Sequence, residues 1–155
     1  MVDASCPIHI RIEHAAFDTA AETALLTAGK HEVGALVAFT GLCRVDEKLS
    51  ALELEHYPGM AEAKIEEICR EAAQKWPLMG IRVVHRVGKI DVGDNIVLVA
   101  ATSAHRAAAF AGADYIMDFL KSRAPFWKKE HGADGIERNW VDAKESDEEA
   151  LDRWT

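Results

Sequence analysis

The stretch Ile81-Arg-Val-Val-His-Arg-Val-Gly-Lys-Ile-Asp-Val-Gly-Asp-Asn-Ile-Val-Leu-Val-Ala-Ala-Thr102 decides the fold class. Its two β-branched runs, Ile81–Val87 and Asn95–Thr102, read as strands, and Gly88, Asp91 and Gly93 punctuate a tight connection between them. His105-Arg106 then opens an alanine-rich segment that carries Phe110, Ala113, Met117 and Leu120 at helical spacing. Ala124 precedes Pro125 and is pushed out of helical geometry, so this helix is expected to end near Arg123.

Working back from that stretch, Pro77 closes a helix whose apolar positions are Ile65, Ile68, Cys69, Ala72 and Trp76. Pro58-Gly59 turns the chain into it from an alternating strand, Ala51–Tyr57, with Leu52, Leu54 and His56 on one face and Glu53, Glu55 and Tyr57 on the other. Val33–Thr40, bracketed by Gly34 and Gly41, suits a buried strand. Asp18 can cap a short helix through about Thr27, ended by Gly29, and Pro7–Glu13 alternates as a first strand. The order is strand, helix, strand, strand, helix, strand, strand, helix and an extended tail. That pattern is α+β with a mixed or largely antiparallel sheet, in one domain over residues 1–155 with an acidic tail from about 141.

A chain of 155 residues, 49% hydrophobic and 28% charged, can bury a real core and has no signature of disorder. Its net charge of -8 argues against general nucleic-acid binding, which needs a broad basic face. The last fifteen residues supply -4 of that, from Asp142, Glu145, Asp147, Glu148, Glu149 and Asp152 against Lys144 and Arg153. Cys6, Cys43 and Cys69 form no metal or disulfide spacing and point to a reducing, cytoplasmic setting. No secretory leader, membrane span, nucleotide-binding loop or metal-ligand cluster is legible.

Against that acidic background, Phe119-Leu-Lys-Ser-Arg-Ala-Pro-Phe-Trp-Lys-Lys-Glu130 concentrates Lys121, Arg123, Lys128 and Lys129 around a proline and two aromatics. Such a tract is either a solvated helix end, where cations are favoured, or an anion pocket with a reactive amine. Thr40-Gly-Leu-Cys-Arg44 could offer backbone N–H groups and an arginine to an anion, and Ser103-Ala-His-Arg106 could do so at a helix start. Each also has an ordinary structural reading. His85-Arg86 is read as structural, because adjacent strand residues face opposite sides. Taken together, Arg44, His105, Arg106, Lys121 and Lys128 suggest a small phosphate-bearing substrate.

The strings Leu54-Glu-His-Tyr-Pro-Gly-Met-Ala-Glu62, His85-Arg-Val-Gly88, Ser103-Ala-His-Arg106, Ala109-Phe110 and Met117–Glu130 resemble the large, catalytic subunit of molybdopterin synthase. The resemblance runs from about Val33 to the C-terminus. It implies an α/β-hammerhead-like domain with an added antiparallel β subdomain. It also implies a sulfurtransferase that converts cyclic pyranopterin monophosphate to molybdopterin. The sulfur would come from the C-terminal Gly-Gly thiocarboxylate of a small ubiquitin-like subunit, and no cofactor or metal is implied.

By the same resemblance, Lys121 and Lys128 correspond to the catalytic lysines. Leu42, Cys43, Arg44, His105, Arg106, Lys121, Lys128, Lys129 and Glu130 correspond to substrate-binding positions. The implied assembly is a homodimer with shared sites and one small subunit at each end, His105 and Arg106 reaching the neighbouring protomer's site. Two departures stand out: Cys43 replaces a common valine, and the loop Val45–Ser50 is short. The competing classes are a non-catalytic subunit that binds a ubiquitin-like tail or phosphorylated metabolite, and a stand-alone phosphate-ester enzyme.

Overall fold

The eight described strands divide between two four-stranded sheets. The computed structural model describes residues 6–45, 49–132, 137–141 and 149–154. The first sheet contains β1 (Ile8–Glu13), β2 (Ala35–Leu42), β4 (Leu78–Arg86) and β6 (Asn95–Ser103) in the order β1-β4-β6-β2. β1 and β4 are parallel, whereas β4–β6 and β2–β6 are antiparallel. The second sheet is antiparallel throughout and runs β5 (Gly88–Asp91), β3 (Leu49–His56), β7 (Phe126–Gly132), β8 (Glu137–Val141). This is the mixed α+β arrangement expected from the sequence, with its added antiparallel part.

Three helices cover the first sheet: α1 (Thr19–Thr27), α2 (Met60–Lys75) and α3 (Arg106–Arg123). α2 and α3 bury Ile65, Ile68, Cys69, Ala72, Ala113 and Ile116 against Ile81, Val83, Val97 and Val99, which share one face of β4 and β6. Each isoleucine withdrawn fully from water contributes about 1.5–3 kcal/mol. The alternate residues Val84 and Leu98 face the other side and pack with Phe17. Asp18 caps α1 as its position requires, accepting from the Ala20 and Ala21 amides at 2.9 and 3.2 Å, and Gly29 leaves the helix at φ 71°. On this face the nearly buried Glu22 joins Arg11 and Arg82. Burial pushes the Glu22 carboxyl up, but the two guanidinium hydrogen bonds outweigh it and hold the group below its ordinary range.

The differences from the sequence reading have local causes. The tight connection after β4 contains β5, because Ile90 is fully buried and pairs opposite Leu52. Val33–Thr40 is an edge strand rather than a buried one, and leaves Leu36 and Phe39 36% and 43% exposed. Phe110 is 61% exposed, while its neighbour Ala109 takes the buried position. The extended tail instead supplies β7 and β8, followed by a C-terminal turn, Ala150–Trp154, that returns to α3. The middle of the acidic tail, 142–148, and residues 46–48 of the short loop lie outside the described residues. Among the described residues no helix is long and apolar enough to cross a membrane.

Candidate active site

Lys121 stands exposed in the last turn of α3. The helix stops where Pro125 requires: Ala124 is already extended (φ −70°, ψ 134°), and its carbonyl accepts from the Phe126 amide at 2.9 Å. Arg123 fixes this end, with Nη1 3.2 Å from Glu71 Oε2 and its guanidinium 4.2 Å from the Phe119 ring centre. The chain then enters β7, where alternation sets the direction of each side chain. Phe126, Lys128 and Glu130 face one side, opposite His56, Leu54 and Leu52 in the register with β3. Trp127, Lys129 and His131 face the other side. There Trp127 packs edge-on to Tyr57 (4.4 Å between ring centres) and His131 pairs with Glu53 at 3.1 Å.

The inner face of β7 meets the first sheet through His85. Its ring stacks on Phe126 at 4.1 Å, and His56 flanks Phe126 at 6.2 Å. His85 is buried, with Nδ1 2.8 Å from the Arg86 carbonyl oxygen. Burial pushes its pKa down to about 4; the hydrogen bond to the Arg86 carbonyl opposes the shift and the Lys121 cation adds to it. The Lys121 ammonium therefore lies within electrostatic reach of the His85–Phe126 stack.

Cys43 gives the matching observation for Lys128. Its thiol is 1% exposed among Leu52, Leu54 and Ile90. Burial raises its pKa, and the nearby Lys128 cation opposes that rise. Lys121 thus stands at the end of α3 and Lys128 on the inner face of β7, the strand that follows the break at Pro125.

Other residues singled out in the sequence occupy different positions. Gly41 does not make an anion-facing turn. It lies within β2 without a positive φ, where an added Cβ would come 3.0 Å from Val97 Cγ1. The Cys43 amide is committed to the Asp94 carbonyl at 2.9 Å and its carbonyl to the Gly93 amide at 2.5 Å. Leu42 and Arg44 are exposed on either side of it, and are the members of this stretch that can meet a ligand by their side chains. Lys129 lies on the face of β7 away from Lys128 and Glu130. His105 caps the start of α3 without a side-chain capping bond, and both it and Arg106 are exposed. Arg106 and Lys121 are fifteen positions apart on α3, about 22 Å along the axis. Within one chain they belong to different places.

The residue that sequence reasoning undervalued is His85. Its strand neighbour Arg86 does turn elsewhere, to the His14 carbonyl at 3.2 Å and towards Asp94 at 3.5 Å. His85 itself stacks on Phe126, within electrostatic reach of Lys121. The signal would have been the stacking partner Phe126, which alternation in β7 places on the Lys128 side. Among the described residues no group of three or more His, Cys, Asp or Glu could hold a metal ion.

A mixed sheet joined to an antiparallel one, with three helices on the first, defines an α+β protein. The MoaE protein family model matches residues 12–123. The molybdopterin synthase catalytic subunit of Mesorhizobium japonicum is 62% identical over 94% of this chain and 92% of its own length. That of Rhizobium meliloti is 56% identical over 97% and 98%. Among solved structures, the molybdopterin biosynthesis MoaE protein from Burkholderia ambifaria superposes with a TM-score of 0.82 at 48% identity, covering 95% of this chain and 97% of that one. Molybdopterin synthase from Staphylococcus aureus gives 0.75 at 34% identity, over 84% and 94%. The chain belongs to the MoaE family.

Proposed function

We propose that this chain is the catalytic subunit of a molybdopterin synthase. It would transfer sulfur from the C-terminal thiocarboxylate of a small ubiquitin-like subunit to cyclic pyranopterin monophosphate. The observation that carries the reading is the placement of Lys121 at the end of α3 and of Lys128 on the inner face of the adjoining β7. Its close relatives are named for this activity. A cytoplasmic setting belongs to the same reading, supported by the burial of all three cysteines.

In this mechanism the thiocarboxylate sulfur attacks a substrate carbon and forms a C–S bond as that carbon's bond to oxygen breaks. The oxygen leaves on the opened cyclic phosphate in one transfer and as water in the other, and the sulfur is left acylated by the partner's tail. Water then cleaves the acyl–sulfur bond, returning a carboxylate on the partner and sulfur on the substrate. A second loaded partner repeats the sequence. Lys121 moves the proton that accompanies attack, and Lys128 stabilises the tail's charge and the oxyanion of the acyl cleavage. Arg44 holds the substrate phosphate. Glu130, on the Lys128 face of β7, orients the pterin, and Leu42 and the Cys43 backbone border it.

His105 and Arg106 are too far along α3 to serve the same chain's lysines, so they would complete the site of a second copy in a homodimer. One small subunit would dock at each end. Lys129, facing away from Lys128, would act at the rim where the partner's tail enters.

Single-turnover sulfur transfer, with purified chain, thiocarboxylated partner and substrate, tests this. Product is expected only with all three components. Lys121→Ala should lower the rate by about 100-fold or more and Lys128→Ala by a similar factor. Wild-type rates in both variants would sink the assignment. Absence of product, with a partner that binds and is active with a known synthase, would leave a non-catalytic binding subunit.

A further inference from the structure

The C-terminal turn grips α3 one turn before Lys121. Arg153 Nε donates to Asp118 Oδ2 at 2.9 Å, while its Nη2 donates to Asp114 Oδ1 at 2.8 Å and also reaches Asp118 Oδ2. Trp154 Nε1 donates to the same Asp118 oxygen at 2.5 Å. Packing aims these donors: the Trp154 ring is edge-on to Trp76 and Tyr115, with centres 5.6 and 5.4 Å apart. The Asp118 side chain is 14% exposed, so three donors converge on a largely buried carboxylate.

Asp118 and Lys121 are three residues apart on α3 and line one groove of about 790 Å³ together with Trp154. At that spacing a carboxylate and an ammonium are surface neighbours and pair when neither is otherwise engaged. Yet among the described residues Lys121 makes no ion pair, while Asp118 Oδ2 takes all three donors from the C-terminal turn. We propose that Arg153 and Trp154 are positioning residues that occupy Asp118 and so keep its carboxylate off Lys121. The proposal rests on Lys121 being the reacting amine. It gives the chain's last turn a role in the reaction beyond holding the helix in place.

Freeing Asp118 would let it pair with Lys121 and favour the ammonium, making the amine a poorer nucleophile and base. Arg153→Ala is compared with the double variant Arg153→Ala/Asp118→Asn in two assays. The first is trace acetylation of Lys121 in the folded chain alone, read by mass spectrometry, and it needs neither partner nor substrate. The second is single-turnover sulfur transfer. Arg153→Ala is expected to slow both by about twofold, the scale of one such helix pair. The double variant is expected to recover both, although it still lacks every Arg153 contact.

A purely structural role for the tail predicts loss without recovery, because removing the Asp118 charge cannot restore packing. That outcome overturns the proposal, as does unchanged acetylation in Arg153→Ala. Asp114→Asn in the Arg153→Ala background is the control. Asp114 is two turns from Lys121, so recovery there would equally overturn the assignment to Asp118. Full sulfur transfer by Lys121→Ala would sink the functional reading instead, and the acetylation result would stand apart from it.

Discussion

An imidazole buried against Phe126 has to shed its proton to fold, and this gives His85 a pH signature. Its folded pKa of about 4 is below the unfolded value of about 6.5. Between those values the unfolded chain binds a proton that the folded chain does not, so stability falls as pH drops through that window. The loss at the acid end is on the order of 3 kcal/mol. Chemical denaturation of wild type and His85→Phe at pH 7, 5.5 and 4.5 should show a weaker dependence in the variant over this range. An equal slope in both would disprove the assignment. Glu22 contributes to stability above about pH 4.3 and loses that contribution as its lowered folded pKa is passed, so its window lies lower.

At the scale of elements, close backbone approaches make sharp tests. An added Cβ on Gly34, just before β2, would fall 2.1 Å from the Ala104 carbonyl oxygen at the entrance to α3. Gly34→Ala should therefore destabilise the chain by about 1–3 kcal/mol, read as a lower urea midpoint with an unchanged slope. Wild-type stability would mean that this junction can move. Helix ends were legible in the sequence because Asp18, Gly29, Pro77 and Pro125 act through short-range sterics and capping. The buried faces of α2 followed from periodicity alone. β5, β7 and β8 were less legible, since four to seven residues pair only when a distant strand such as β3 offers an edge. Lys128 and Lys129 look equivalent side by side in the sequence. Only membership of β7 separates their faces, and only the register with β3 tells which one turns inward.

For the whole molecule, the length of α3 matters most. If Arg106 of one copy serves Lys121 of another, chains carrying Arg106→Ala and Lys121→Ala should complement each other. A purified mixed dimer would keep one complete site and about half the wild-type activity, while each parent dimer remains inactive. No recovery in a verified mixed dimer would show that each copy works alone. The resemblance in the sequence suggested this sharing, and about 22 Å of helix separates Arg106 from its own chain's Lys121. The burial of Cys6, Cys43 and Cys69, at 9%, 1% and 0% exposure, has a consequence of another kind. Cys43 and Cys69 are held as thiols by burial that raises their pKa. A thiolate in the open would be a rival nucleophile for the same electrophilic carbon. With the Cys43 and Cys69 thiols neutral and out of reach, the proposed transfer would leave the chain a bystander, and every sulfur atom in the product would be one delivered from outside.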